Sequence, residues 1–213
     1  MLIHKMGWFF QKVLYPQLTW RKDSTDEKII YLTFDDGPIP EMTPTILDLL
    51  KQYNAKATFF CVGDNIRKHP SIFKRTQEEG HSVGNHTYNH LNGWQTKDVD
   101  YLQNVEKCTA VMREHLPEAV SEKMLFRPPY GRISKSQISK LLPNYHIVMW
   151  EVLSGDFLQS LSSENCLKKS IKYTESGSIV VFHDNIKAKR NVDEVLPRYL
   201  EHFAQLGFEF KAL

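Results

Sequence analysis

The sequence has few cysteines, little net charge and no long apolar run. Its three cysteines, Cys61, Cys108 and Cys166, are far apart and form no CxxC pair, which predicts buried thiols and argues against a disulfide framework or a cysteine zinc site. The formal net charge is only +2 over 213 residues and no basic run is present, so nothing indicates nucleic acid as a partner. The phosphate-binding patterns GxGxxG and GxxxxGK[ST] are also absent, which argues against a nucleotide-binding open sheet.

The first 27 residues contain apolar stretches that are interrupted by Lys5 and Lys12. No small-residue cleavage site follows them, so the segment predicts neither a secretory signal nor a membrane-spanning helix, and a cytoplasmic location is the default expectation, with cell-envelope association as the alternative. We interpret residues 1–27 as an extension that packs on the folded domain. Contact with a membrane surface is the alternative, because the segment is rich in aromatic residues, namely Trp8, Phe9, Phe10, Tyr15 and Trp20.

From residue 28 onwards, apolar strand-like runs alternate with stretches of helical periodicity. The strand candidates lie in the stretches YLTFDD, KATFFCVG, HSVGNH, MLFRPPYG, HIVMWEVL, GSIVVFHD and FEFKAL. The predicted helices cover residues 42–53, 70–79, 98–115, 134–142, 163–173 and 191–203. This order predicts an α/β fold in which helices cover a parallel sheet, and we expect a single barrel-like domain of about seven strands over residues 28–213.

Polar and titratable side chains recur where the predicted strands end. In a parallel barrel these exits meet at one face of the molecule, where functional groups gather. The exits carry the pairs Asp35–Asp36, His86 with His90, Arg127 with Tyr130, and His183–Asp184, and the region from Trp150 to Asp156. Solvation alone does not explain so many such groups at consecutive strand ends.

His86 and His90 are spaced i, i+4, which on a helical turn would put both imidazoles on one face. The HxxxH spacing is a weak signal by itself, but two histidines and a carboxylate form a three-ligand metal site with a position left open for water. Either Asp35 or Asp36 can supply that carboxylate, and the other is then free to act on the water. Arg127 is the cation that we expect to orient this second carboxylate and keep it ionised.

The motifs TFDDGP, GHSVGNHTYNH, FRPPYG, WEVLSGDF and IVVFHD occur in this order. Together they resemble those of the polysaccharide deacetylases, the NodB homology domains of carbohydrate esterase family four. The resemblance covers residues 28–184 directly. It implies a distorted (β/α) barrel, which agrees with the alternation of strands and helices.

The resemblance also implies roles for individual residues. Asp35 corresponds to the general base, and Arg127 corresponds to the arginine that pairs with it. Asp36, His86 and His90 correspond to the ligands of one divalent metal ion, which is usually zinc, with cobalt as an alternative.

Further roles follow for the later motifs. Tyr130 resembles the residue whose backbone N–H helps to hold the oxyanion. His183 resembles the general acid, and Asp156 resembles the carboxylate that tunes it. An amine is a poor leaving group unless it is protonated, so an acid in this place suits amide hydrolysis.

Three positions differ from the family pattern. Leu153 stands where an acid is common, Phe157 replaces a tryptophan, and Val181 replaces a leucine. We expect Phe157 and Val181, together with Pro129, to line the substrate pocket, and the smaller side chains predict a wider space for the acyl group. The aromatic-rich segment 88–94 is a further candidate for a sugar subsite.

The sequence therefore predicts a metal-dependent N-deacetylase of N-acetylglucosamine-containing glycans, of the chitooligosaccharide or peptidoglycan type. Two alternatives remain open. One is hydrolysis of a different amide or of an O-acetyl ester on the same fold. The other is a glycan-binding domain without catalysis, which the presence of both an acid and a base makes less attractive.

Overall fold

The computed structural model describes residues 3–7, 10–22, 27–116 and 123–213. In this part of the chain one sheet contains eight strands. They are β1 (Ile29–Asp35), β2 (Ala57–Cys61), β3 (Ser82–Asn85), β4 (Met124–Phe126), β5 (Tyr145–Ile147), β6 (Val152–Leu153), β7 (Ile179–His183) and β8 (Glu209–Phe210). The α-helices in the same ranges are α1 (Thr43–Gln52), α2 (Gly63–Lys68), α3 (Pro70–Glu78), α4 (Asp98–Arg113), α5 (Lys135–Leu141), α6 (Ser163–Tyr173) and α7 (Lys189–Gln205).

The strands lie in the order β5-β4-β3-β2-β1-β7-β6, and each neighbouring pair is parallel. β8 extends the sheet beside the first residues of β1. Helices follow most of the strands, as right-handed β–α–β connections require. The predicted α/β barrel-like architecture in a single domain is therefore confirmed.

β1 lies at the centre of the sheet and is buried at every position except Tyr31. The rings of Phe34 and Phe59 stack with centroids 5.0 Å apart, and Phe182 lies against Phe34 at 6.2 Å. Each buried aromatic ring of this kind removes enough apolar surface from water to contribute about 2–3 kcal/mol. The exits of β1 and β7 are in register, so that Asp35 pairs with His183 across the two strands.

The structure corrects the prediction of a single strand in HIVMWEVL. β5 ends at Ile147 and β6 begins only at Val152. Between them Val148 N–H still donates to Phe126 O of β4 and Glu151 N–H to Ile179 O of β7, but the N-terminal segment takes other backbone groups: Met149 N–H donates to Thr19 O at 2.7 Å, and Met6 N–H donates to Glu151 O at 2.8 Å. Local periodicity cannot reveal a partner that lies more than a hundred residues away.

The described part of the first 27 residues lies along this break in the sheet. Thr19 bridges to Val148 and Lys5 bridges to Val152. Leu18 and Trp20 are buried in the main core, and the Trp20 indole N–H donates to Tyr15 O at 3.0 Å. Trp8 and Phe9, which we named as aromatic residues of this segment, lie outside the described residues. Among the described helices, none combines the length and the apolar character needed to cross a bilayer.

Candidate active site

The two adjacent aspartates point to different partners because the chain leaves the strand between them. Asp35 is the last residue of β1, whereas Asp36 has a positive φ of 91°. This left-handed conformation is rare outside glycine, asparagine and aspartate. The turn that follows contains a cis peptide bond between Gly37 and Pro38.

Asp35 forms a buried ion pair with Arg127. Its Oδ1 accepts a hydrogen bond from Arg127 Nη1 at 2.7 Å, and the arginine is fully buried. Three further guanidinium N–H groups donate to Thr33 Oγ1 at 2.7 Å, Met149 O at 2.8 Å and Val148 O at 3.2 Å. Burial lowers the pKa of Arg127 from its ordinary value, and Asp35 opposes this change. Because four of its five N–H groups are engaged, the guanidinium has a fixed orientation and holds Asp35 Oδ1 in place.

Asp36 faces the two histidines. Its Oδ1 lies 3.0 Å from His90 Nε2 and 3.6 Å from His86 Nε2. One ligand atom from each of the three residues lies within 4.8 Å of the others. Asp36 Oδ1 is buried and accepts no hydrogen bond from the residues that the structure describes. An orphaned carboxylate oxygen beside two imidazole nitrogens fits a divalent ion with His2Asp ligation, and zinc is the ion that this set of donors favours.

The histidines reach this position from a loop, so the prediction of a helical turn is wrong. His86 follows β3 directly, and Thr87 and His90 have positive φ values of 62° and 56°. His86 Nδ1 lies 2.8 Å from Arg127 O, and His90 Nδ1 lies 3.1 Å from the Tyr130 hydroxyl. These contacts leave both Nε2 atoms to face Asp36. Metal-binding histidines are commonly oriented in this way, by a hydrogen bond at the ring nitrogen that does not bind the metal.

The charges of the cluster suit cation binding. Burial would raise the pKa of Asp36, but the imidazoles of His90, His183 and His86 outweigh burial and hold it below its ordinary value. Burial lowers the pKa of His86 to about 4, although Asp35 opposes this change. Asp36 is therefore anionic and His86 is neutral near pH 7, and these are the forms that bind a metal ion.

His183 is held by Asp156 at the exit of β7. Asp156 Oδ1 lies 2.8 Å from His183 Nδ1, and Asp156 Oδ2 accepts the His183 backbone N–H at 2.7 Å. Burial lowers the pKa of His183, but Asp156, together with Asp36 and Asp35, outweighs it and raises the pKa to about 9. His183 is thus protonated near neutral pH, and with Nδ1 directed at Asp156, Nε2 remains for a substrate.

Tyr130 occupies a strained position next to this group of residues. Its φ is +60° within the short 3-10 turn Pro129–Gly131. The N–H groups of Gly131 and Arg132 donate to the carbonyls of Pro128 and Pro129, whereas the Tyr130 backbone N–H donates to no group among the described residues. The N–H is therefore available as a donor to a ligand.

A pocket of about 710 Å³ brings these groups together. Phe157 and Val181 line this pocket, and the centroids of the Phe157 and His183 rings are 4.9 Å apart. Pro129 does not line this pocket, since it is buried at the base of the turn that presents Tyr130. The full lining comprises Asp35, Asp36, His86, His90, Tyr130, Arg132, Trp150, Leu153, Phe157, Val181, His183, Asn185, Ile186 and Lys187.

Sequence analysis named Asp184 only as a group at a strand exit, and it did not identify Asn65 or Asn185, although all three residues hold the Asp36 turn. The Asn185 side-chain amide donates to Asp36 Oδ2, and Asn65 Nδ2 donates to the Asp36 carbonyl at 2.8 Å. Asp184 accepts the Gly37 N–H at 2.8 Å and the Thr43 hydroxyl at 2.6 Å. The one available signal was position, because Asp184 and Asn185 directly follow His183.

The family model described as polysaccharide deacetylase matches residues 22–143. The chain belongs to the polysaccharide deacetylase family. The matched range includes the three motifs that contain Asp35, Asp36, His86, His90 and Arg127. The comparisons confirm the predicted family and its enzyme class, hydrolases of carbon–nitrogen bonds other than peptide bonds.

Several members of this deacetylase family are similar to the chain along much of their length. A peptidoglycan-N-acetylglucosamine deacetylase of Bacillus cereus is 34% identical over 196 residues, which cover 91% of this chain and 89% of that enzyme. A chitooligosaccharide deacetylase of Azorhizobium caulinodans is 34% identical over 75% of both chains. The crystal structure of the Bc1960 peptidoglycan N-acetylglucosamine deacetylase superposes with a TM-score of 0.86 at 30% identity, covering 98% of this chain and 95% of the other. Two other peptidoglycan deacetylases are longer, since the match spans 55% and 37% of their lengths.

Proposed function

We propose that this deacetylase removes N-acetyl groups from N-acetylglucosamine-containing glycans, of the peptidoglycan or chitooligosaccharide type, and that it depends on one divalent metal ion. The observation that carries the proposal is the presence in one pocket of three separate units. These are a His2Asp triad with a buried carboxylate oxygen that accepts no hydrogen bond, a carboxylate held by an arginine, and a protonated histidine held by a carboxylate.

Asp36, His86 and His90 would hold the ion, with zinc as the first candidate and cobalt as the second. The chemistry that such an ion supplies is that of a Lewis acid, which polarises a carbonyl group and lowers the pKa of water. The pocket is open enough for an acetamido group to enter beside these residues.

The chain's own residues then divide the proton transfers. Asp35, with Oδ1 engaged by Arg127, accepts a proton from the attacking water through Oδ2 as the new C–O bond forms. The Tyr130 N–H donates to the oxyanion of the tetrahedral intermediate, a contribution of roughly 3 kcal/mol for a single donor. His183 Nε2 gives its proton to the sugar nitrogen as the C–N bond breaks. The products are acetate and a free amine.

The test is acetate release by the purified, zinc-loaded protein from chitooligosaccharides, peptidoglycan and acetylxylan. We expect release from one or both of the first two and little from acetylxylan. Release from acetylxylan alone would replace the proposal with an O-acetyl esterase, and no release from any of the three would favour a glycan-binding domain.

Two variants separate the metal site from the base. Replacing both His86 and His90 with alanine should abolish stoichiometric zinc binding, measured by elemental analysis after dialysis. Asp35→Asn should keep the zinc and lose nearly all turnover, because only the proton acceptor is removed. Unchanged zinc content in the double variant, or wild-type kcat in Asp35→Asn, would contradict the assignment.

A further inference from the structure

Trp94 is a large aromatic side chain that is exposed and yet firmly held. The residue is 64% exposed. Its indole N–H donates to Ile133 O at 3.0 Å, and its backbone N–H donates to Asn92 Oδ1 at 3.1 Å. The other aromatic residue of the 88–94 segment that sequence analysis singled out, Tyr88, is buried.

The loop that carries Trp94 is tied to the chain that follows Tyr130. Gly93 N–H donates to Arg132 O at 3.1 Å, and Gln137 Nε2 donates to Gly93 O at 2.9 Å. A Cβ at position 93 would lie 2.5 Å from Arg132 O, so glycine is required for this close approach. The orientation of Trp94 is therefore set by the protein before any ligand binds.

This loop also adjoins the catalytic pocket. Arg132 lines the pocket, and its guanidinium lies over the Trp94 ring, with Cζ 5.4 Å from the ring centroid. No carboxylate of the described residues forms an ion pair with Arg132. Its N–H groups are thus free to donate to a ligand at the rim of the pocket.

We propose that Trp94 and Arg132 form a sugar-binding subsite beside the pocket, which holds the glycan unit next to the one that is deacetylated. A pyranose ring has a face of C–H groups, which suits an aromatic surface, and an edge of hydroxyl groups, which suits the guanidinium donors. Arg132 belongs to the lining of the pocket and lies over Trp94, so a glycan chain with one unit beside the catalytic residues can place a neighbouring unit against this pair. A surface that is already ordered binds them at a low cost in entropy. The inference rests on the proposed glycan substrate.

The test is the dependence of kcat/KM on the length of the substrate, using the zinc-loaded enzyme with N-acetylglucosamine and with its oligomers of two to six units. We expect Trp94→Ala to lower kcat/KM on the oligomers by about tenfold through KM and to leave the monomer, which has no neighbouring unit, unchanged. A factor of ten, ~1.4 kcal/mol, corresponds to about 50 Å² of buried apolar surface. Trp94→Phe should retain most of the effect of length, although it lacks the indole N–H.

Leu206→Ala is the matched control. Leu206 is an exposed apolar residue whose carbonyl accepts from Lys28, just before β1 begins, and this is the end of the sheet away from the pocket. Its replacement should not affect any oligomer. An equal loss on all lengths in Trp94→Ala would overturn the subsite, since it would mean that Trp94 only supports the pocket.

Binding is measured separately, so that the subsite can be judged even without turnover. Calorimetric titration of the hexamer into zinc-loaded Asp35→Asn should give a dissociation constant about tenfold lower than the same titration into Asp35→Asn combined with Trp94→Ala. Equal dissociation constants would overturn the subsite. Absence of acetate release from every oligomer, with the difference in binding preserved, would contradict the proposed activity and leave the subsite standing.

Discussion

Asp35 and Asp36 are neighbours in sequence with different chemical surroundings. Asp35 is held by the buried Arg127, whereas Asp36 faces two imidazoles and has one oxygen without a hydrogen bond. The positive φ of Asp36 causes this divergence, because it turns the second carboxylate away from the strand. Pairs of acids in unlike environments commonly have unlike roles in catalysis, and the division that we propose here is between a base and a metal ligand.

His183 offers a test at the scale of a single residue. The proposed mechanism requires protonated His183 and ionised Asp35, so it predicts that kcat/KM follows a bell-shaped curve in pH. Asp156 contributes to raising the pKa of His183 to about 9, which carries the alkaline limb to high pH. Asp156→Asn removes this charge, and the alkaline limb should therefore move to lower pH by about one unit or more.

The control for this variant is Asp193→Asn, which removes an exposed carboxylate paired with Lys189 on α7. Its pH profile should match that of the wild type, and zinc content should be unchanged in both variants. An alkaline limb that stays in place in Asp156→Asn would show that Asp156 does not tune His183.

At the scale of elements, the side chains that directly follow β7 hold the turn that directly follows β1. Asp184 receives hydrogen bonds from Gly37 and Thr43, and Asn185 donates to Asp36 Oδ2. This leaves Asp36 Oδ1 as the oxygen that faces the histidines. Residues from two adjacent strand ends thus fix the orientation of one prospective metal ligand.

We expect Asn185→Ala to weaken zinc binding by about 10–100-fold, since the loss of an outer partner of a metal ligand commonly has this effect. Asn185 also caps the following 3-10 turn by accepting from the Ala188 N–H. Asn185→Ser retains a capping oxygen but is too short to support Asp36, so it should weaken zinc binding as well.

Lys187→Ala changes an exposed neighbour in the same loop and is the control. Zinc affinity is measured by competition with a chelating dye, which does not depend on turnover. Equal affinity in the wild type, Asn185→Ala and Asn185→Ser would show that this contact does not position Asp36.

The sequence allowed the elements to be predicted where the pattern is local. The apolar run before Asp35 and the periodic helix of residues 98–115 correspond to β1 and α4. The HxxxH spacing indicated a helical turn, but the positive φ values of Thr87 and His90 bring the imidazoles together within a loop. Helix α2, with the short polar sequence GDNIRK, gave no periodic signal. The contacts of Asn65, Asp184 and Asn185 depend on tertiary structure, which a single sequence does not specify.

At the scale of the whole molecule, the described N-terminal residues occupy the break between β5 and β6. Glu151 lies in this break with only 2% of its surface exposed. Its carboxylate accepts from Arg21 Nη1 at 3.2 Å and from the Ser178 hydroxyl at 2.8 Å, and Lys5 Nζ lies 3.7 Å away. The Arg21 backbone bridges to Ser178, just before β7, and its guanidinium also donates to Glu175 Oε1 at 2.8 Å and to Ser176 O at 2.8 Å. This arginine therefore connects the segment to the turn that leads into β7 by both backbone and side chain.

Arg21→Ala tests whether this segment is part of the folded unit. The substitution leaves the buried Glu151 carboxylate without its nearest cation, and we expect the free energy of unfolding to fall by about 1–3 kcal/mol. This is below the value for a fully buried pair, because Arg21 is partly exposed.

Arg198→Ala is the control: it breaks a surface pair with Glu164 and should change the free energy of unfolding by less than about 1 kcal/mol. Combining Arg21→Ala with Glu151→Gln should recover part of the loss, since the unpaired charge is then gone. The measurement is urea unfolding at pH 7. Equal stability of Arg21→Ala and Arg198→Ala would show that the Arg21–Glu151 contact adds little to the fold, whereas the expected order means that the segment around Arg21 is part of the folded unit.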